Sequence, residues 1–259
     1  MSKNKLKKFA DMNEFGCVHQ YPREELLRTG FPYFGKWNEE VFSSAGPIVL
    51  ELGCGRGEYT VGLARHDASR NHIGIDIKGA RMWTGASEVE REGIKNAAFL
   101  RCEIENITRF FAPGEVEQIW ITFPDPQMQK TRKRLTSTRF LEMYRQILRP
   151  EGIINLKTDS PFLYEYTRRL VKLNDMEVIV DTDDLYGSGK ADPVESIKTY
   201  YEQQWLSRGK KIKLLSFRLP AEGPLKEPET DDIPRDDYRS QARRANSANR
   251  KTPLPESEE

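Results

Sequence analysis

Residues 49–60 read Val-Leu-Glu-Leu-Gly-Cys-Gly-Arg-Gly-Glu-Tyr-Thr, and this stretch decides the fold. Pro47-Ile48-Val49-Leu50-Glu51-Leu52 is a short apolar run of the kind that forms a strand buried on both faces. Gly53, Gly55 and Gly57 then permit a tight turn and close approach of the backbone to a ligand. Helical spacing resumes at Glu58 and lasts to Arg65. A strand, a glycine turn and a helix in direct succession open a parallel α/β sheet.

Working outward, strands are expected at 72–77, 98–101, 118–123, 153–156, 177–180 and 211–219. Helices are expected at 79–92, 137–148 and 161–174, with a loop at 184–198. The fold class this predicts is α/β, a seven-stranded and mostly parallel Rossmann-like sheet with helices on both faces. Ligands of such sheets bind outside the carboxyl ends of the strands. Glu51, Asp76, Glu103, Asp125 and Asp159 all fall at or just past a strand end. In the fourth of these strands Pro124 stops the ladder, because proline lacks an N–H and forces its predecessor into extended geometry. Asp125 follows, held between two prolines, and then a basic run of Lys130, Arg132, Lys133 and Arg134.

The chain of 259 residues is long enough for one domain with ornaments. A net charge of +1 predicts no partner, so charge is read locally. Three cysteines without C-x-x-C spacing fit a reducing compartment and argue against a disulfide framework or a metal site. The basic N-terminus lacks the apolar run of a secretory signal, and no run reaches transmembrane length, so a cytoplasmic protein is expected. Three regions are predicted: a basic arm and aromatic preamble at 1–45, with Tyr33, Phe34 and Trp37 packed on the main domain; the α/β domain at 46–219; and a tail at 220–259. The tail holds few large apolar side chains, so it is expected to be disordered and dispensable.

The glycine turn could hold a dinucleotide or S-adenosyl-L-methionine. A dinucleotide fingerprint needs G-x-G-x-x-G, and its third glycine would fall on Glu58. A carboxylate there would also repel a pyrophosphate that the helix N-terminus should attract. S-adenosylmethionine has no phosphate and carries a sulfonium cation, which suits an acidic rim. Asp76 is placed to bind ribose hydroxyls.

Taken together, the motifs resemble one family, the bacterial tRNA (guanine-N7-)-methyltransferases, over about residues 35–219. The resemblance is carried by VLELGCGRGEYT, GIDIKGARMWTGA, WITFPDPQMQKTRKRLT, INLKTD and IKTYYEQQW. It implies transfer of a methyl group from S-adenosylmethionine to N7 of a guanosine in the tRNA variable loop, at position 46. It also implies that Glu51, Gly53, Asp76, Glu103 and Asp125 bind the cofactor, that Asp125 is catalytic, and that Gln129, Asp159, Thr199 and Glu202 contact the guanosine. Lys130, Arg132, Lys133 and Arg134 are expected on RNA phosphates. The chain departs from the family pattern at Gln127, where tryptophan is usual, at Gln129, where lysine is usual, and at Glu103, where aspartate is usual. It also lacks a histidine in the basic run. A same-fold methyltransferase acting on another RNA or a protein is the alternative, as is an RNA-binding protein with a non-catalytic cofactor site. No membrane and no obligate protein partner are expected, and the chain is read as a monomer or homodimer.

Overall fold

The computed structural model describes residues 3–42, 44–189 and 191–236. In chain order its elements are α1 (Lys3–Glu14), β1 (Val18–Gln20), α2 (Arg23–Thr29), α3 (Trp37–Glu40), β2 (Ile48–Leu52), α4 (Glu58–His66), β3 (Asn71–Asp76), α5 (Gly79–Glu92) and β4 (Ala97–Arg101). There follow a 3-10 turn (Ile104–Arg109), β5 (Val116–Thr122), a second 3-10 turn (Thr131–Lys133), α6 (Thr138–Arg145), β6 (Leu148–Thr158), α7 (Pro161–Leu173), β7 (Val178–Thr182), α8 (Tyr200–Leu206) and β8 (Lys213–Arg218).

The strands form one sheet in the order β1-β4-β3-β2-β5-β6-β8-β7. β1 to β6 pair in parallel, and β8 runs antiparallel to both β6 and β7. The order reverses at β2, whose two neighbours are β3 and β5. That reversal opens the crevice in which ligands of such sheets lie. The central strands are buried along their length, as a sheet covered on both faces requires.

The sheet has eight strands where seven were expected. The extra one, β1, comes from the N-terminal arm and extends the edge at β4, with Val18 opposite Phe99 and Gln20 opposite Arg101. Three residues reading Val-His-Gln carry no hydrophobic period, so the partner strand and not the local sequence defines this element. The lysine-rich start of the arm forms α1 and docks on α5, where Trp83 donates its indole N–H to Asp11 at 2.8 Å. Trp37 is fully buried, donates its indole N–H to the Phe110 carbonyl at 2.9 Å and stacks on Phe111.

A second correction concerns the tail. Residues 220–236 pack along α6 and α7 and do not extend into solvent. Ile233 is buried in the main core and Leu225 packs against it. Two of the acids that made this segment look soluble are paired: Tyr166 and Thr138 donate to Glu227, and Arg169 grips Asp232 with two bonds at 2.7 and 2.9 Å. Composition alone counted these side chains as solvating, whereas they are matched one by one to donors on two helices. Pro220, Pro224, Pro228 and Pro234 also reduce the freedom the segment loses on ordering. Residues 237–259, including the basic stretch Arg239 to Lys251, lie outside the described residues.

Candidate active site

Strand β2 delivers Glu51 beneath the glycine turn. Its carboxylate is buried and accepts from the Thr60 N–H at 2.9 Å, the Thr60 hydroxyl at 2.5 Å and the Thr122 hydroxyl at 2.6 Å. Burial raises its pKa to about 7, against the lowering effect of those three donors. Glu51 therefore ties β2, α4 and β5 together under the turn. Above it, Gly53 adopts φ 76°, and the N–H groups of Gly53 and Cys54 both donate to the Ile75 carbonyl. Gly57 caps α4 at φ 76°, and a Cβ there would stand 2.5 Å from the Phe99 ring. No other residue fits so close an approach in that conformation.

Asp76 closes the turn from the end of β3. Its two oxygens accept from the N–H groups of Gly55, at 3.0 Å, and Lys78, at 2.8 Å. Around it opens a cavity of about 420 Å³ lined by Gly53, Asp76, Ile77, Cys102, Glu103, Ile104 and Glu105. The lining holds three carboxylates, no basic side chain, and two isoleucines that can flank a flat ring. This donor set fits S-adenosylmethionine: carboxylates for ribose hydroxyls and for a cationic group, apolar walls for the purine, and nothing to neutralise a pyrophosphate. Cys54 and Cys102 have thiol pKa values pushed up by burial, so they pack as neutral side chains.

Asp125 stands exposed just past the end of β5, between the ends of β2 and β6 in the sheet. Two residues with left-handed backbone bracket it, Phe123 at φ 49° and Gln127 at φ 46°, so Phe123 does not take the extended geometry expected of the residue before Pro124. Non-glycine residues in that region are strained and persist where their surroundings fix them. Here the Phe123 N–H donates to the Lys157 carbonyl at 2.8 Å, and the Gln127 N–H donates to the Asp125 carboxylate at 3.1 Å. Arg134 completes the clamp. Only 1% exposed, it donates to the carbonyls of Gln127 and Met128 and lies over the rings of Phe162 and Tyr166 on α7. Arg134 was expected on RNA phosphates, but burial removes it from that role and makes it the staple of the Asp125 loop. Lys130, Arg132 and Lys133 remain exposed, and so does Gln129.

On the far side of Asp125, β6 ends in Lys157-Thr158-Asp159, and Asp159 is buried. Glu202, expected to contact guanosine, is fully buried in an ion pair with Lys157 at 2.9 Å and accepts from the Tyr186 hydroxyl at 2.6 Å. Burial pushes the Lys157 pKa down, and Glu202 opposes that shift. Glu202 also forms a capping box with Thr199 at the start of α8. The spacing T-x-x-E was read as a substrate motif, yet it is equally the signature of a helix start, and both side chains serve that end here. Next to the cap, Tyr200 and Tyr201 are exposed, Arg56 of the glycine turn lies over the Tyr200 ring, and the Tyr200 N–H donates to Glu58. These two aromatic faces and Arg56 were missed as candidates. The aromatic pair directly after the Thr199 cap could have suggested them.

A glycine turn at a sheet's reversal point, an acidic nucleoside cavity beside it and a carboxylate on the neighbouring strand define a class I S-adenosylmethionine-dependent methyltransferase. The fold agrees with solved structures: the 16S rRNA methyltransferase KamB superposes with a TM-score of 0.55 at 15% identity, covering 70% of this chain and 92% of that one. A family model described as "Putative methyltransferase" matches residues 45–215. The tRNA (guanine-N(7)-)-methyltransferase of Bacteroides thetaiotaomicron is 57% identical over 240 residues, 93% of this chain and 95% of the relative. That of Porphyromonas gingivalis is 56% identical over 233 residues, 88% of this chain and 95% of the relative. The chain belongs to the tRNA (guanine-N7-)-methyltransferase family.

Proposed function

We propose that this enzyme transfers a methyl group from S-adenosylmethionine to N7 of a guanosine in tRNA, in the variable loop at position 46. The observation that carries the reading is the exposed Asp125 carboxylate, held by a clamped loop between the cofactor cavity and the end of β6. When bound, the cofactor supplies a methyl group made electrophilic by its sulfonium.

N7 of guanine bears an in-plane lone pair and needs no deprotonation, so a general base is unnecessary. The chain's task is alignment and charge. Glu51 fixes the turn from below, while Gly53, Asp76 and Glu103 hold the nucleoside part. Methylation leaves a positive charge on the base, and Asp125 stabilises it as it develops. Asp159, expected at the guanine N–H edge, is as buried as Arg134 and acts from beneath the site instead of as a surface contact. Glu202 and Thr199 act behind it, by fixing α8 and Lys157. Lys130, Arg132 and Lys133 take phosphates of the loop from which the base is extruded, so affinity falls with salt. Gln129, exposed and next to Lys130 in the chain, is read as a polar contact to the substrate. No helix among the described residues is long and apolar enough to cross a membrane, and we place the enzyme in the cytoplasm with its substrate.

The test uses purified protein, methyl-labelled S-adenosylmethionine and tRNA that lacks the modification. Label should enter tRNA at a site cleaved by chemistry specific for 7-methylguanosine. Label on another base, or transfer only to protein, would overturn the assignment.

A further inference from the structure

The segment 220–236 does more than cover two helices, because its last described residue reaches the two loops that carry Asp125 and Asp159. Asp236 is buried, although it is a carboxylate in an acidic, proline-rich stretch. Its side chain accepts from the Ser160 hydroxyl at 2.5 Å and from the Phe162 N–H at 3.2 Å. Ser160 directly follows Asp159, and its own oxygen caps α7 by accepting from the Leu163 N–H at 3.0 Å. The backbone N–H of Asp236 points the other way, to the Met128 sulfur at 3.2 Å, three residues beyond Asp125. One residue thus bridges the end of β6 to the loop after β5.

The rest of the segment holds that bridge in place. Arg145 donates to the carbonyls of Pro220 and Gly223. Asn174 and Lys226 exchange two hydrogen bonds at 2.7 and 2.9 Å. Glu227 then joins Thr138 at the start of α6 to Tyr166 on α7, and Tyr166 is one of the two rings that carry Arg134. The strap and the buried arginine therefore converge on one object, the Gln127–Met128 turn behind Asp125. A buried carboxylate with two donors at the acceptor loops costs desolvation that is recovered only if the loops are held in register.

We propose that the strap 220–236 is a positioning element for methyl transfer, and that Asp236 is its positioning residue, setting the Asp125 and Asp159 loops against each other. This rests on the function proposed above and adds to it a residue outside the sheet. The experiment compares full-length protein with Asp236→Ala and Ser160→Ala, singly and together, by single-turnover methyl transfer to tRNA, S-adenosylmethionine binding by calorimetry, and thermal melting. Asp236→Ala is expected to slow methyl transfer about tenfold or more, the scale of a misaligned reacting pair, while cofactor affinity stays within about twofold. The double variant is expected to lose less than the product of the two single losses, because the Ser160–Asp236 hydrogen bond is shared, while Ser160→Ala also removes the α7 cap. A protein truncated after Asp236 is expected to transfer at the wild-type rate. Unchanged transfer by Asp236→Ala would overturn the proposal. So would parallel loss of transfer, cofactor binding and melting temperature, which would make the strap purely structural. Failure of the wild-type protein to label tRNA would instead overturn the function itself, which keeps the two readings distinguishable.

Discussion

Glu51 has no solvent and three donors, and the balance leaves its pKa near 7 in the folded chain. The sign of its effect on stability follows. Its folded pKa is raised above the unfolded value near 4.5, so the stability it contributes is full below pH ~4.5 and is lost as pH rises through about 7. The change is on the order of 3 kcal/mol. Urea unfolding of cofactor-free protein between pH 4.5 and 8 should show this decline. Glu51→Gln keeps the shape without the titration, and its stability should be flatter over the same range. An equal slope in both proteins would place the pH dependence elsewhere. Asp125 is the contrasting carboxylate, exposed and held by a backbone N–H. It lies at the surface, while Glu51 is closed off beneath the turn. Both were legible as strand-end acids, but the sequence could not separate the buried strut from the exposed one, because only packing distinguishes them.

At the scale of elements, the KTD strand end and the start of α8 are one unit. Lys157 bonds Glu202 and also donates to the carbonyls of Glu195 and Ile197, so the strand holds the loop that leads into the helix. Breaking a buried pair by removing one partner costs about 3–5 kcal/mol, since the other charge is left uncompensated. Glu202→Ala should therefore lower the denaturation midpoint strongly, and Thr199→Ala should cost only about 1 kcal/mol for the lost cap. If Glu202→Ala melted like wild type and lost only tRNA methylation, Glu202 would be a direct guanosine contact after all. The two motifs were visible in the sequence as separate signals. Their mutual contact was not, because it joins residues 45 apart through a fully buried ion pair. Arg134 failed in the same way: amid a basic run nothing local distinguishes the arginine that turns inward onto Phe162 and Tyr166.

Over the whole molecule, the sheet was readable because each strand of the central part is an apolar run bounded by glycine, proline or an acid. The additions at its margins were not. β1 draws its pairing from the edge of β4, and the strap 220–236 draws its order from partners on α6 and α7. In both cases the local sequence is too polar to announce an element, and long-range contacts supply what periodicity lacks. The strap matters most for function, since it changes the expected result of a truncation. Removing residues 220–259 should impair methyl transfer, whereas removing only residues beyond Asp236 should not.

Asp125 is proposed to stabilise the charge that develops on guanine and to contribute little to binding. The most direct test is single-turnover methyl transfer by Asp125→Asn, with the affinities for S-adenosylmethionine and tRNA measured on the same preparation. Transfer should slow by about 100-fold or more, the scale of a removed transition-state contact, with both affinities within about threefold of wild type. Equal losses of transfer and of either affinity would contradict the account and make Asp125 a binding residue.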